Sequence, residues 1–169
     1  MKKIGIFYGT STGNTENVAK LFAQKLNIQS SDIFEATRGN ADKLTNYDIL
    51  LFGSSTQGVG DLQDDWESFV NDVEKTDLSN KKVAIFGLGD SASFSDSYCG
   101  AMSHIAKAAI AAKATLIGNK VDTADYTFDN SDSVVDGYFT GLALDEDNEP
   151  EKTDERIDRW LAGLKNELG

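Results

Sequence analysis

Asp48–Gly53 reads DILLFG, and Lys82–Gly87 reads KVAIFG. Neither run alternates apolar with polar residues. A strand with one wet face alternates with period two, so unbroken runs mark strands covered on both faces. Such strands belong to a parallel sheet with helices on each side. The pattern repeats outward from these two runs. Lys3–Tyr8 (KIGIFY), Asp32–Ala36 and Thr115–Gly118 read as further strands. Helical periodicity fills the intervals. Thr15–Leu26 places Val18, Leu21, Phe22 and Leu26 on one face, and Asp64–Val73 places Trp66, Phe69, Val70 and Val73 together. Tyr98–Ala112 aligns Tyr98, Met102, Ile105, Ala106 and Ala109, and Thr153–Leu168 aligns Ile157, Trp160, Leu161, Leu164 and Leu168. The fold class predicted is α/β: a doubly wound, five-stranded parallel sheet.

One segment breaks the rhythm. Between Gly118 and Thr140 the chain is polar and acidic with scattered aromatics, and it lacks a helical period. It is too long for a plain connection. A short strand, Gly141–Leu144, follows it. The segment, about residues 119–139, reads as an insertion that splits the last strand. No linker or repeat is visible, so one domain over 1–169 is expected.

The chain has 169 residues, of which 40% are apolar and 26% charged, ordinary values for a globular protein. Acids outnumber bases 28 to 16, giving a net charge of −12. That argues against nucleic acid and anionic membranes, whose phosphates need Lys and Arg. It favours a basic protein partner met by electrostatic steering. The single cysteine, Cys99, precludes an internal disulfide framework. No stretch approaches the roughly 20 apolar residues of a membrane span, and MKKIGIFYG is too short an apolar run for a signal peptide. A cytoplasmic location is expected.

In a doubly wound sheet, ligands lie beyond the carboxyl ends of the strands. Three loops follow strands here. The first is Gly9–Thr15 (GTSTGNT), which runs from a strand straight into a helix. Hydroxyls of Thr10, Ser11, Thr12 and Thr15 and the amide of Asn14 crowd around Gly13. The helix adds its free N–H groups and its positive dipole end. The loop therefore suits an anion. It lacks the lysine of a triphosphate loop and the G-x-G-x-x-G spacing of a dinucleotide loop, so a terminal monophosphate fits best. A turn that merely caps the helix is the plain alternative. The second loop is Ser54–Leu62 (SSTQGVGDL). The third runs from Gly87 (GLGD) to Cys99. Two glycine-bearing loops at one edge can close on the two faces of a flat ring.

Gly9–Glu16 (GTSTGNTE), Thr56–Glu67 (TQGVGDLQDDWE), Gly87–Asp90 (GLGD) and Gly141–Asn148 (GLALDEDN) resemble the corresponding motifs of flavodoxins. The split-strand insertion is similar to that of the long-chain group. The resemblance covers Lys3 to Leu168. It implies strand order 2-1-3-4-5. It also implies noncovalent FMN and a monomeric, low-potential carrier that shuttles single electrons between redox enzymes on the semiquinone/hydroquinone couple. It implies neither catalytic residues nor a metal. Thr10, Ser11, Thr12, Gly13, Asn14 and Thr15 would hold the phosphate. Ser55, Thr56, Gln57, Gly58, Val59 and Gly60 would border one face of the ring. Leu88, Gly89, Asp90 and Phe94 would border the other face and the pyrimidine edge. Ser97, Cys99 and Asp147 would approach the ring or ribityl chain. Many relatives carry Trp where this chain has Gln57, and Tyr where it has Phe94, so weaker FMN binding is expected. The acids Asp61, Asp90, Asp96 and Asp147 would disfavour an anionic reduced ring and lower the second potential. An FMN-dependent NAD(P)H or quinone oxidoreductase on the same fold is the alternative function. A phospho-receiver domain is a more distant one, because Gly53–Thr56 stands where its acceptor aspartate would be.

Overall fold

The computed structural model describes residues 2–168. β1 (Ile4–Gly9) leads into α1 (Asn14–Leu26), followed by β2 (Ile33–Glu35). β3 (Ile49–Gln57) turns back into a short β4 (Asp61–Leu62), and α2 (Asp64–Lys75) follows. β5 (Lys82–Leu88) precedes α3 (Ala101–Ala111) and β6 (Thr115–Leu116). Three short strands come next: β7 (Val121–Asp122), β8 (Val134–Val135) and β9 (Tyr138–Phe139). β10 (Leu142–Leu144), α4 (Thr153–Gly163) and α5 (Lys165–Leu168) complete the chain.

The order β2-β1-β3-β5-β10 is parallel throughout. The fifth position is shared by two pieces. β6 pairs with Lys82 and Val83 at the start of β5, and β10 pairs with Phe86 to Leu88 at its end. This is the doubly wound sheet with a split last strand. The insertion folds as a small antiparallel sheet of order β7-β9-β8.

Alternation along each central strand feeds two cores. Phe7, Leu50, Phe52, Val83 and Ile85 face α2 and α3, where Trp66, Phe69, Met102 and Ile105 meet them. Ile6, Leu51, Ala84 and Phe86 face α1 and α4, where Val18, Phe22, Ile157 and Trp160 meet them. Both faces are dry, which is why DILLFG and KVAIFG show no polar alternation. Trp66 and Trp160 are core residues, and each indole N–H donates to a backbone carbonyl: Gly53 at 2.8 Å and Gly118 at 3.0 Å.

Most boundaries shift by one or two residues, and three differ for a structural reason. β3 runs on through the polar residues Ser54–Gln57, because they pair with β5 as far as Ser55–Leu88 and with β4 across a hairpin. The helix expected from Tyr98 starts at Ala101, because Cys99 adopts a left-handed φ of 51° that no helix continues. The last helix breaks between Gly163 and Lys165, where glycine weakens helical continuity.

Candidate functional site

The carboxyl ends of β1, β3 and β5 open into a cleft of about 220 Å³. The first loop enters it from β1. Thr10 Oγ1 accepts the Gly13 N–H at 3.0 Å, which curls the loop ahead of α1. Gly13 stands at the N-cap and makes no side-chain capping bond. The N–H groups of the first turn keep their donor capacity, as the start of any helix must. Thr15 is fully buried, yet its Oγ1 has no partner.

The second loop is a hairpin turn between β3 and β4. Gly58 (φ 45°) and Gly60 (φ 80°) supply the positive φ values that a turn this tight requires. Ser55 Oγ and Thr56 Oγ1 are buried without partners. Gln57 Nε2 donates to Ser11 Oγ at 2.8 Å, so its side chain bridges to the first loop.

The third loop leaves β5. Asp90 Oδ1 accepts from the N–H groups of Ala92 (3.1 Å) and Ser93 (2.9 Å) and from Asn148 Nδ2 (2.8 Å). The Ser93 backbone bond, then Asn148, hold the Asp90 carboxyl below its usual range. The second and third loops touch. A Cβ on Gly100 would stand 2.8 Å from Gly60 Cα, so only glycine permits this approach.

Ser11, Thr12, Asn14, Ser55, Thr56, Gln57, Leu88, Gly89, Asp90, Phe94, Ser97, Cys99 and Asp147 line the cleft. Thr10, Gly13, Thr15, Gly58, Val59 and Gly60 adjoin it in the same loops. Cys99 is fully buried, and its thiol faces the Gly87 carbonyl (3.6 Å) and the Leu144 carbonyl (3.8 Å). Burial pushes that thiol up to about 12. Native protein is expected to resist a thiol reagent, with modification tracking denaturant unfolding; rapid native labelling would contradict this burial.

Burial raises the Asp147 carboxyl above its ordinary value, and repulsion from Asp90 and Asp145 adds to the effect. A carboxyl raised in the folded state contributes stability below its unfolded pKa and loses it as pH rises through the folded one. Asp147→Asn is therefore expected to raise the apoprotein's denaturation midpoint slightly at about pH 7, a gain that vanishes near about pH 3. Midpoints measured at both values check the sign.

Several supports escaped the sequence reading. Tyr98 and Glu146 also line the cleft. Gln63 is buried, caps α2 by accepting the Asp65 N–H at 3.0 Å, and donates to the Thr10 carbonyl at 3.2 Å. Asp145 is buried and accepts from Ser91 N–H (3.1 Å), Ser91 Oγ–H (2.5 Å) and Asn148 N–H (3.0 Å). The insertion buttresses the third loop. Ser131 Oγ donates to the Tyr98 carbonyl, Ser133 Oγ to the Cys99 carbonyl at 2.7 Å, and the N–H groups of Asp129 and Asn130 to Ser95 at 2.9 Å. Tyr98 packs tilted against Phe128 and edge-on against Phe139. Only the serine content of the insertion hinted at this role.

The family model described as flavodoxin matches residues 6–160. The chain belongs to the flavodoxin family. It is 40% identical to a Synechocystis flavodoxin, an alignment covering 98% of this chain and 97% of that one. It is 38% identical to flavodoxin 1 of Escherichia coli, over 97% of this chain and 93% of the relative. Among solved structures, Fusobacterium nucleatum flavodoxin bound to flavin mononucleotide superposes with a TM-score of 0.89 at 28% identity, covering 100% of both chains.

Proposed function

We infer that this flavodoxin holds FMN in the cleft at the carboxyl ends of β1, β3 and β5 and carries electrons between redox proteins. One observation supports the site above all. The buried hydroxyls of Thr15, Ser55 and Thr56, in the first two loops, have no partners in the protein. Buried polar atoms are nearly always satisfied, so these three fit a polar ligand that supplies the acceptors or donors. Thr10–Thr15, with the N–H groups of the first turn of α1, would take the phosphate. Ser55–Gly60 would border one ring face, and Leu88, Gly89, Asp90 and Phe94 the other, with Ser97, Cys99 and Asp147 along the floor and rim. FMN supplies the one-electron chemistry, and the protein supplies placement and electrostatics.

The protein's own residues set the field. The three donors to Asp90 favour its charged form, and Asp147 and Glu146 add acid to the same rim. Negative charge there opposes the gain of an electron and lowers the potential. Gln57, tied to Ser11, occupies the position between phosphate and ring loops without an aromatic stack. No substrate-turnover machinery is needed for electron transfer, and the oxidoreductase alternative is not favoured.

A net charge of −12 and an acidic cleft rim suit partners with basic docking surfaces. Val59, 79% exposed, and Phe94, 46% exposed, offer small apolar contacts beside those acids. No helix among the described residues is long and apolar enough to cross a membrane. A monomer working in the cytoplasm, built as one domain, accords with these features.

Thr15→Ala tests the phosphate site. Loss of a hydrogen bond to a charged group should weaken FMN by about ten- to a hundredfold. The apoprotein should be unchanged or slightly more stable, because an unpaired buried hydroxyl is removed. Fluorescence titration and denaturant melts of the apoprotein read both signs. Unaltered affinity would place the phosphate elsewhere. NADH and NADPH consumption by the FMN-loaded protein tests the alternative, with negligible turnover expected.

A further inference from the structure

A second cleft, of about 480 Å³, lies away from the site just described. It opens where the fifth strand is split: β6 ends at Leu116, β10 begins at Leu142, and the insertion departs and returns between them. Ile117, Val121, Leu142, Trp160 and Leu164 give it an apolar wall. Its volume is in the range that accepts a small organic molecule.

Arg156 forms part of the lining and is only 4% exposed. Two edges of its guanidinium are held. Nε faces Asp125 Oδ2 at 3.4 Å, and Nη2 donates to the Asp125 carbonyl at 3.0 Å and Glu149 Oε1 at 3.2 Å. The group lies over Tyr126, with Cζ 4.0 Å from the ring centroid. Nη1 is buried and has no acceptor. An unpaired buried donor is costly, and more so on a charged group. The arrangement is that of a fixed cation lacking one oxygen. Lys120 and Arg159 also line the cleft, and Arg159 Nη2 pairs with Glu155 Oε1 at 2.6 Å. Asp122, Asp125 and Glu167 balance them, with Glu167 engaged by Lys82 at 2.6 Å. A polyanion would meet those acids, whereas a single carboxylate would not need to.

We propose that this cleft is a second ligand site for a small amphiphilic carboxylate, its charged end on Arg156 and its apolar body against Trp160 and Leu164. One carboxylate oxygen suits the single open guanidinium nitrogen, and an aromatic or branched body matches the wall. The site differs from the flavin cleft in kind. There the anion is met by hydroxyls and N–H groups, and here by a fixed guanidinium.

The test uses nitrogen-labelled, FMN-loaded protein titrated with naphthoate, and with naphthalene methanol as the neutral counterpart. Saturable shifts are expected at the Trp160 indole N–H, the Arg156 Nε–H and amides of residues 116–122. The alcohol should bind about tenfold more weakly, the loss of one charge-assisted bond. Arg156→Gln should erase the preference for the acid. Gly163 lines the cleft, and a Cβ there meets nothing within 4 Å, so Gly163→Phe places a ring in open space. That variant should keep its flavin spectrum and lose naphthoate binding by about tenfold or more. It decides the matter if Arg156→Gln does not fold. Absent shifts at Trp160, equal affinity for acid and alcohol, undiminished binding in Gly163→Phe, or shifts confined to residues 10–15 would each overturn the proposal.

Discussion

Thr12→Asp should weaken FMN binding by about a hundredfold or more while leaving the apoprotein as stable as the parent. Two unit charges about 4 Å apart near a protein surface repel by about 4 kcal/mol, and solvent and salt reduce that to an estimated 3 kcal/mol. The first loop has no cation to absorb the new charge: Thr10 to Thr15 contains only hydroxyls, one amide and a glycine. Stability should respond in the opposite sense. Thr12 is exposed and stands just ahead of α1, where an acid suits the helix dipole. The apoprotein should therefore melt at the same temperature or slightly higher. FMN titration and thermal melts of the apo form separate the two effects. Affinity within a few-fold of the parent would mean that the phosphate does not sit at the start of α1.

Gly141→Ala should destabilise the protein by about 3 kcal/mol, the upper range for a forced overpacking. A Cβ on Gly141 would overlap the Ile85 carbonyl oxygen and stand 2.9 Å from its carbonyl carbon. These are backbone atoms of β5, a strand paired on both sides, and cannot swing away as a side chain would. The resumed half of the fifth strand must move instead, and Leu142–Leu144 with it. For a chain of this size the melting temperature should fall by roughly 6–12 °C. Gly39→Ala serves as the control, since a Cβ there meets nothing within 4 Å. A fall of similar size in both variants would show a general glycine effect rather than this contact.

Much of the architecture was legible because it is written in local pattern. DILLFG and KVAIFG are dry on both faces, and the structure places helices against both. Val18, Phe22, Trp66, Phe69, Met102 and Ile105 sit on buried faces, as their spacing requires. Even the insertion was visible as a stretch without period between two short strands. The misreadings share a cause. Ser54–Gln57 look like loop residues and are strand, because the ladder to β4 and β5 outweighs their polarity. Tyr98 has helical spacing to Met102 but lies in the loop, because the left-handed Cys99 and the bonds from Ser131 and Ser133 hold it there.

The first loop divides along the same line. By itself the sequence determined that Gly9–Thr15 is a hydroxyl-rich loop without lysine at a strand–helix junction, since glycine spacing, hydroxyl content and helix polarity are local properties. It likewise determined the sheet that brings three such loops to one edge. Only the tertiary structure decided which hydroxyls are buried and unpartnered, that Gln57 reaches Ser11, that Gln63 and Asp145 hold the loops from beneath, and that the insertion braces the third loop while leaving a cleft around Arg156. Those are contacts between residues far apart in the chain. Their existence depends on distances in space, which no spacing along the sequence encodes.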